Sequence, residues 1–160
     1  MLSQLEAPSK VLLRGVTTVS HSASGAITTN IDLTGLPASG QTVERLLGVV
    51  CNAVNYYHAS IRRNGDQLEI RTVAAAGGMN VVVSWDILRA RGRVQKGVVN
   101  VISSTSDIVT FNAAILDVGD MARARVHPGG MAATANAGYN ESSLQQLTAV
   151  DNLRVQVART

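Results

Sequence analysis

The chain has 160 residues and a mass of 16.8 kDa, with 46% apolar residues, 16% charged residues and a net charge of +3. That length fits one medium domain or two small ones; the apolar share excludes a disordered chain, and the charge density is too low for a long solvated helix or coiled coil. The basic residues are nearly all arginines, with only Lys10 and Lys96 as lysines, and they are too sparse for the dense stripe of a typical nucleic-acid binder.

Residues 1–10 contain Glu6 and Pro8 and no apolar h-region, and no stretch approaches 18 apolar residues, so neither a secretion signal nor a membrane-spanning helix is expected. The segment reads as an N-terminal arm whose Leu2 and Leu5, with Val11 just beyond it, could dock on a partner. Valine is the commonest residue and short β-branched runs are punctuated by Ser, Asn and Gly, a composition that predicts strands. Val11 to Val19 forms the first run. The small polar stretch from Ser20 to Gly25 is a turn by composition, and Ala26 to Leu33 places Ile27, Thr29, Ile31 and Leu33 on one face. Val49 to Ile61 is a further β run, although Val43, Leu46, Leu47, Val50, Val54 and Tyr57 fit helical spacing as well, which leaves a short helix open there.

Asn64-Gly65 between two β runs signals a hairpin. Gln67 to Val73 is its returning strand, with Leu68, Ile70 and Thr72 on one face and Glu69 and Arg71 on the other. After the small-residue link Ala74 to Gly78, Val81 to Leu88 is a strongly apolar strand that carries the only tryptophan, Trp85. Arg89 to Arg93 makes a charged connector.

The second half answers the first at a shift of 82 positions. Arg14-Gly15-Val16 faces Lys96-Gly97-Val98, and Val19, Ser24, Thr28 and Asn30 face identical residues at Val101, Ser106, Thr110 and Asn112. At a slightly larger shift Asp66-Gln67-Leu68-Glu69-Ile70 faces Asp151-Asn152-Leu153-Arg154-Val155. The expected architecture is therefore all-β: two related antiparallel β-sandwich-like modules from an internal duplication, at residues 11–88 and 94–160, joined by the connector 89–93.

Catalytic constellations are thin. Cys51 and His58 could be imagined as nucleophile and base, with Asp32 or Asp66 orienting the imidazole, but Cys51 sits in an apolar run where a free cysteine acts as a small buried hydrophobe. As the only cysteine it has no intramolecular disulfide partner. His21, His58 and His127 are isolated, without zinc-ligand spacing, and Asp117 and Asp120 lack nearby acidic partners, the next acid being Glu141. Gly77-Gly78 and Gly129-Gly130 lack the spacing of a phosphate-binding loop. No enzymatic activity, cofactor or metal is expected. Arg89, Arg91 and Arg93 alternate, so an extended chain would present all three on one side, joined by Lys96 and by Arg123 and Arg125. With 3% aromatic residues the strip has little to stack bases on, and arginine forks suit carboxylates across a protein interface better.

A basic residue and glycine after an apolar run (Val94-Gln95-Lys96-Gly97), the closing strand Leu153 to Arg159, and the ending Val83-Ser84-Trp85-Asp86-Ile87 resemble the repeat modules of virion structural proteins of tailed bacteriophages. The resemblance implies a non-enzymatic virion component made in the host cytoplasm, foremost a capsid decoration or cement protein on the capsid surface that binds across subunits of the major capsid protein. A homo-oligomer, for instance a trimer, is its natural form. A tail or fibre-associated structural or receptor-binding protein is the alternative, with a small hydrolase or a single-strand nucleic-acid binder behind it.

Overall fold

The computed structural model describes residues 10–53, 57–92, 94–96, 109–114, 145–151 and 154–159. Nine strands account for most of them: β1 (Val11–His21), β2 (Gly25–Asp32), β3 (Thr42–Cys51), β4 (Tyr57–Asn64), β5 (Gln67–Ala74), β6 (Met79–Arg89), β7 (Val109–Ala114), β8 (Gln145–Asp151) and β9 (Arg154–Arg159). One 3₁₀ turn at Ser39–Gln41 precedes β3, and there is no α-helix among the described residues.

The first six strands form two three-stranded antiparallel sheets, ordered β1-β6-β3 and β2-β5-β4. Except for the β4–β5 hairpin, every connection from β1 to β6 crosses from one sheet to the other. The chain thus builds both layers together, and neither sheet has a core without the other. Period-two patterning explains which side chains meet between them. Ala59 and Ile61 of β4, Leu68 and Ile70 of β5, and Val81, Val83, Trp85 and Ile87 of β6 form one buried cluster with Leu33. Leu13, Ile31, Leu46, Val49, Cys51 and Tyr57 pack around it. At roughly 1.5–3 kcal/mol for each fully buried aliphatic side chain, this shared core is the main stabilising term.

The expected faces of β2 and β5 are the ones observed: Leu33, Leu68, Ile70 and Thr72 are fully buried, while Asp32, Asn30 and Thr28 are exposed. The hairpin forms one residue later than an Asn-Gly turn would place it. Asn64 pairs with Gln67, so Gly65 and Asp66 are the loop, and Gly65 at φ +58° occupies the first position, the one a two-residue turn of the II′ kind reserves for glycine.

Two readings of the sequence need correction. Of the stretch with helical spacing, Val43, Leu46, Leu47 and Val50 belong to a strand, β3, Tyr57 opens β4, and Val54 lies outside the described residues; the run from Val49 to Ile61 thus contains the end of β3 and the start of β4, which belong to different sheets. The cause is that β3 is apolar on both faces. Val43 and Val50 lie on the outer side with Leu88 and Val82, whereas Leu46, Val49 and Cys51 face the core, and a bulge at Leu47 shifts the register between the two sets. A two-faced apolar strand with an extra residue loses alternation and imitates helical spacing.

The remaining strands form a third antiparallel sheet, ordered β7-β9-β8. Its order matches that of β2-β5-β4, the returning strand of a hairpin taking the centre in both. Asn30 pairs with Glu69, and Asn112 with Gln156. The repeat expected around Asp66 and Asp151 does not superpose on this register: Asp66 is a loop residue, whereas Asp151 ends β8 and pairs with Arg154. Arg154 takes the place of Gln67, two residues beyond the position that the sequence match gives it. The segment 97–108, which contains most of the other matched residues, lies outside the described residues.

Candidate functional site

The outer faces of the two sheets in the sandwich differ in chemistry. On the β2-β5-β4 sheet the outward positions towards the β4–β5 turn include Asn30, Asp32, Arg62, Asn64, Gln67, Glu69 and Arg71, a polar set in which Glu69 accepts from Arg62 and from Asn64, whereas His58 and Val73 at the other end of this face are buried. These bonds hold the Glu69 carboxyl below its usual range.

On the β1-β6-β3 sheet, apart from the polar pair Ser20 and Asn80 at one end, the outward residues form four rungs that span all three strands. Val11, Leu88 and Val43 make the first, Arg14, Asp86 and Arg45 the second, Val16, Ser84 and Gly48 the third, and Thr18, Val82 and Val50 the fourth. Among the described residues the exposed large hydrophobics, Val11, Val16, Leu47 and Val50, all belong to this sheet, Val16 and Val50 being more than 60% exposed. Single exposed aliphatics are ordinary, but four on one sheet face are not.

The second rung is a cross-strand ion triad. Asp86 is fully buried although it points away from the core, because the two arginines lie across it. Arg45 donates from Nε to Oδ1 at 2.8 Å and from Nη2 to Oδ2 at 2.5 Å, a bidentate fork. Arg14 adds a single contact from Nη2 to Oδ2 at 3.2 Å, and its side chain remains 62% exposed. The Arg45 bonds, with the single Arg14 bond behind them, hold the Asp86 carboxyl below its usual range against the opposing effect of burial. Two guanidiniums on one carboxylate leave the rung with an excess positive charge.

The other sequence candidates do not assemble. Cys51 faces the core on β3, whereas His58 lies between Tyr57 and Ala59, both of which face the core, and so points to the outer side of the opposite sheet. Asp32 and Asp66 sit at the far end of that sheet, six residues along β5 from the partner of His58, about 20 Å. Asp32 caps Thr34 instead, and Asp66 approaches Arg63. Among the described residues no group of three or more His, Cys, Asp or Glu could hold a metal ion.

Arg89 is exposed at the end of β6, its backbone N–H bound to the Lys10 carbonyl, and Arg91 is exposed in a bend, so the chain is not extended at residues 91–92. Lys96 is engaged: its Nζ donates to Glu44 Oε1 at 2.8 Å, to Oε2 at 2.6 Å and to Ser39 Oγ at 3.0 Å. Leu2, Leu5, Arg93, Arg123 and Arg125 lie outside the described residues. Sequence reasoning singled out Val11 but missed Arg14, Arg45, Val16 and Val50 as members of this face. The available signal was the consecutive apolar runs Leu46-Leu47, Val49-Val50 and Val81-Val82-Val83 in β3 and β6, which place apolar residues on both sides of a sheet.

At the opposite end of β1, His21 is buried, with Nε2 2.9 Å from Thr72 Oγ1, a bond that joins the two sheets. Burial lowers its pKa. Below pH 6.5 the unfolded chain therefore takes up a proton here that the folded chain resists, and stability falls as the pH drops. Asp86 has the same sign for another reason: its contribution is complete above the ordinary carboxylate range and is lost as the pH falls below about 4. Thermal melts of the wild type should accordingly decline in two stages on acidification. His21→Gln should abolish the stage that begins near pH 6.5 and leave the lower one, and equal slopes for both proteins above pH 5 would refute the assignment.

No protein-family model matches the chain, and no curated protein or solved structure shows significant similarity to it.

Proposed function

We propose that the chain is a non-enzymatic structural protein of a virion, a decoration or cement protein that adheres to the assembled capsid surface and stabilises it. The observation that supports adhesion is the contrast between the two outer faces: one exposes polar residues towards the β4–β5 turn, the other exposes valines around an arginine-rich rung. The virion itself rests on the resemblance of Val83 to Ile87, Val94 to Gly97 and Leu153 to Arg159 to phage structural repeats. A protein that binds only the assembled shell stabilises that state by mass action and needs no reactive group. Closed symmetry, for instance a trimer, would leave no dangling sheet edge.

Internal duplication belongs to the same reading. It is supported by the shared order of β2-β5-β4 and β7-β9-β8 and by the register in which Val155 and Val157 take the places of Leu68 and Ile70. The two-residue slip from the sequence match preserves which residues share a face, since slips by two leave the pleat unchanged.

Quantitative mass spectrometry of purified source particles tests the proposal. A copy number of the order of the major capsid protein is the expected result. A few to a few dozen copies would move the chain to the tail or fibre, and absence from the particle would overturn the structural role.

A further inference from the structure

We infer that the β1-β6-β3 outer face docks a protein surface in which aliphatic side chains flank a carboxylate, and that Arg14 receives this carboxylate. The inference rests on the adhesive role proposed above and specifies the partner's chemistry. Three observations carry it.

The first is charge. Asp86 is already occupied on both oxygens, by the Arg45 fork and by Arg14. Arg45 directs two of its N–H groups into that pair, whereas Arg14 makes one longer bond, its only side-chain hydrogen bond among the described residues, and stays largely exposed. A guanidinium has five N–H donors, so Arg14 is positioned by Asp86 yet keeps donors for a second carboxylate. Asp86 thus acts as a positioning residue: it fixes the arginine before binding and reduces the ordering needed on association.

The second is the apolar surround. Val11 lies on one side of the arginine rung, Val16 and Val50 on the other, and Leu47 at the β3 bulge. Ser84 and Gly48 on the third rung are small, which lowers the surface between the arginines and the fourth-rung valines. A matching partner presents aliphatic groups to these positions and an acid to Arg14. A nucleic acid or an anionic sugar would satisfy the arginine but not the valines.

The third is area. Three strands at about 4.8 Å spacing and about seven residues of length give a face on the order of 300–400 Å². Stable pairs bury about 800 Å² per partner, so one such face is too small for a strong isolated complex or for a tight homodimer through this surface alone. It suits a partner displayed in many copies, where linked weak contacts add up through effective concentration.

The test uses the full chain and source particles prepared without it, in a co-sedimentation titration. Wild type should bind, with Arg14→Glu weakening binding about tenfold or more and Val50→Asp reducing it comparably. Ser60→Asp, on the other sheet's outer face, should leave it unchanged. Thermal melts verify that each variant is folded. Phenylglyoxal labelling gives a readout without mutation: Arg14 should be modified in the free protein and protected on the particle. Wild-type binding that is indifferent to Arg14→Glu and Val50→Asp, with Arg14 equally modified in both states, would overturn this inference and leave the adhesive role standing. Failure of the wild type to bind would overturn the adhesive role and the inference with it.

Discussion

Replacing Arg63 by alanine is expected to lower the stability of the fold by about 3 kcal/mol, read as a reduced denaturation midpoint in urea with an unchanged slope. The guanidinium is fully buried on the inner side of β4. Its Nε donates to the Gly65 carbonyl at 2.8 Å, and Nη1 donates to the Pro37 carbonyl at 2.6 Å and to Thr42 Oγ1 at 3.0 Å. One side chain thereby joins the β4–β5 turn, the loop between β2 and β3, and the start of β3. Thr42 passes the chain on by donating to Glu44, which Lys96 binds in turn. Removing Arg63 leaves two carbonyls and a hydroxyl without their donor at one end of the sandwich, and a buried acceptor costs its desolvation when unmatched. Methionine would restore most of the volume and none of the donors, so Arg63→Met should still lose about 2 kcal/mol. Full stability in Arg63→Met would show that the cost of burying the charge cancels the bonds, as it does for some buried ion pairs.

Gly15→Ala is expected to destabilise by about 2–3 kcal/mol, a large effect for one methyl group on an edge strand. Gly15 pairs with Trp85 across β1 and β6, and a Cβ placed on it would lie 2.4 Å from Trp85 Cζ2. The indole has no easy escape. It is 4% exposed within the core, and its Nε1 donates to Thr17 Oγ1 at 3.0 Å. Either the ring leaves its rotamer and this bond, or β1 moves away from β6. Trp85→Leu alone should also be costly, because it empties core volume. The double variant should be more stable than the sum of the two losses predicts, since the smaller side chain makes room for the methyl group. Strict additivity would show that the two residues do not share this space.

Much of the first module was legible because its inner faces obey a simple rule. Leu68, Ile70 and Thr72 alternate with Glu69 and Arg71, and Asn64-Gly65 marks the hairpin, so β5 and its turn follow from local pattern. Where the pattern failed, in β3, the reason was burial on one face and an apolar surface on the other: such a strand carries no alternation to read. The adhesive face was missed for the same reason. Arg14 and Arg45 are 31 positions apart in the chain and become neighbours only through β6, which lies between them. The arginines that looked like a strip, Arg89 and Arg91, are local in sequence, and the bend at Arg91 removes the extended geometry that the strip required.

The sequence by itself determined the class of this protein. Its β-branched runs, its punctuation by small polar residues and its single cysteine lead to an all-β fold without a disulfide within the chain, because these are properties of short windows and of composition. Only the tertiary structure decided which residues act together. Sheet order and register brought Arg14, Asp86 and Arg45 onto one rung and set Trp85 against Gly15. They also separated Cys51 from His58 by placing their side chains on opposite sides of a sheet. Long-range pairing depends on how two sheets share one core, and a window of local sequence contains no term for it.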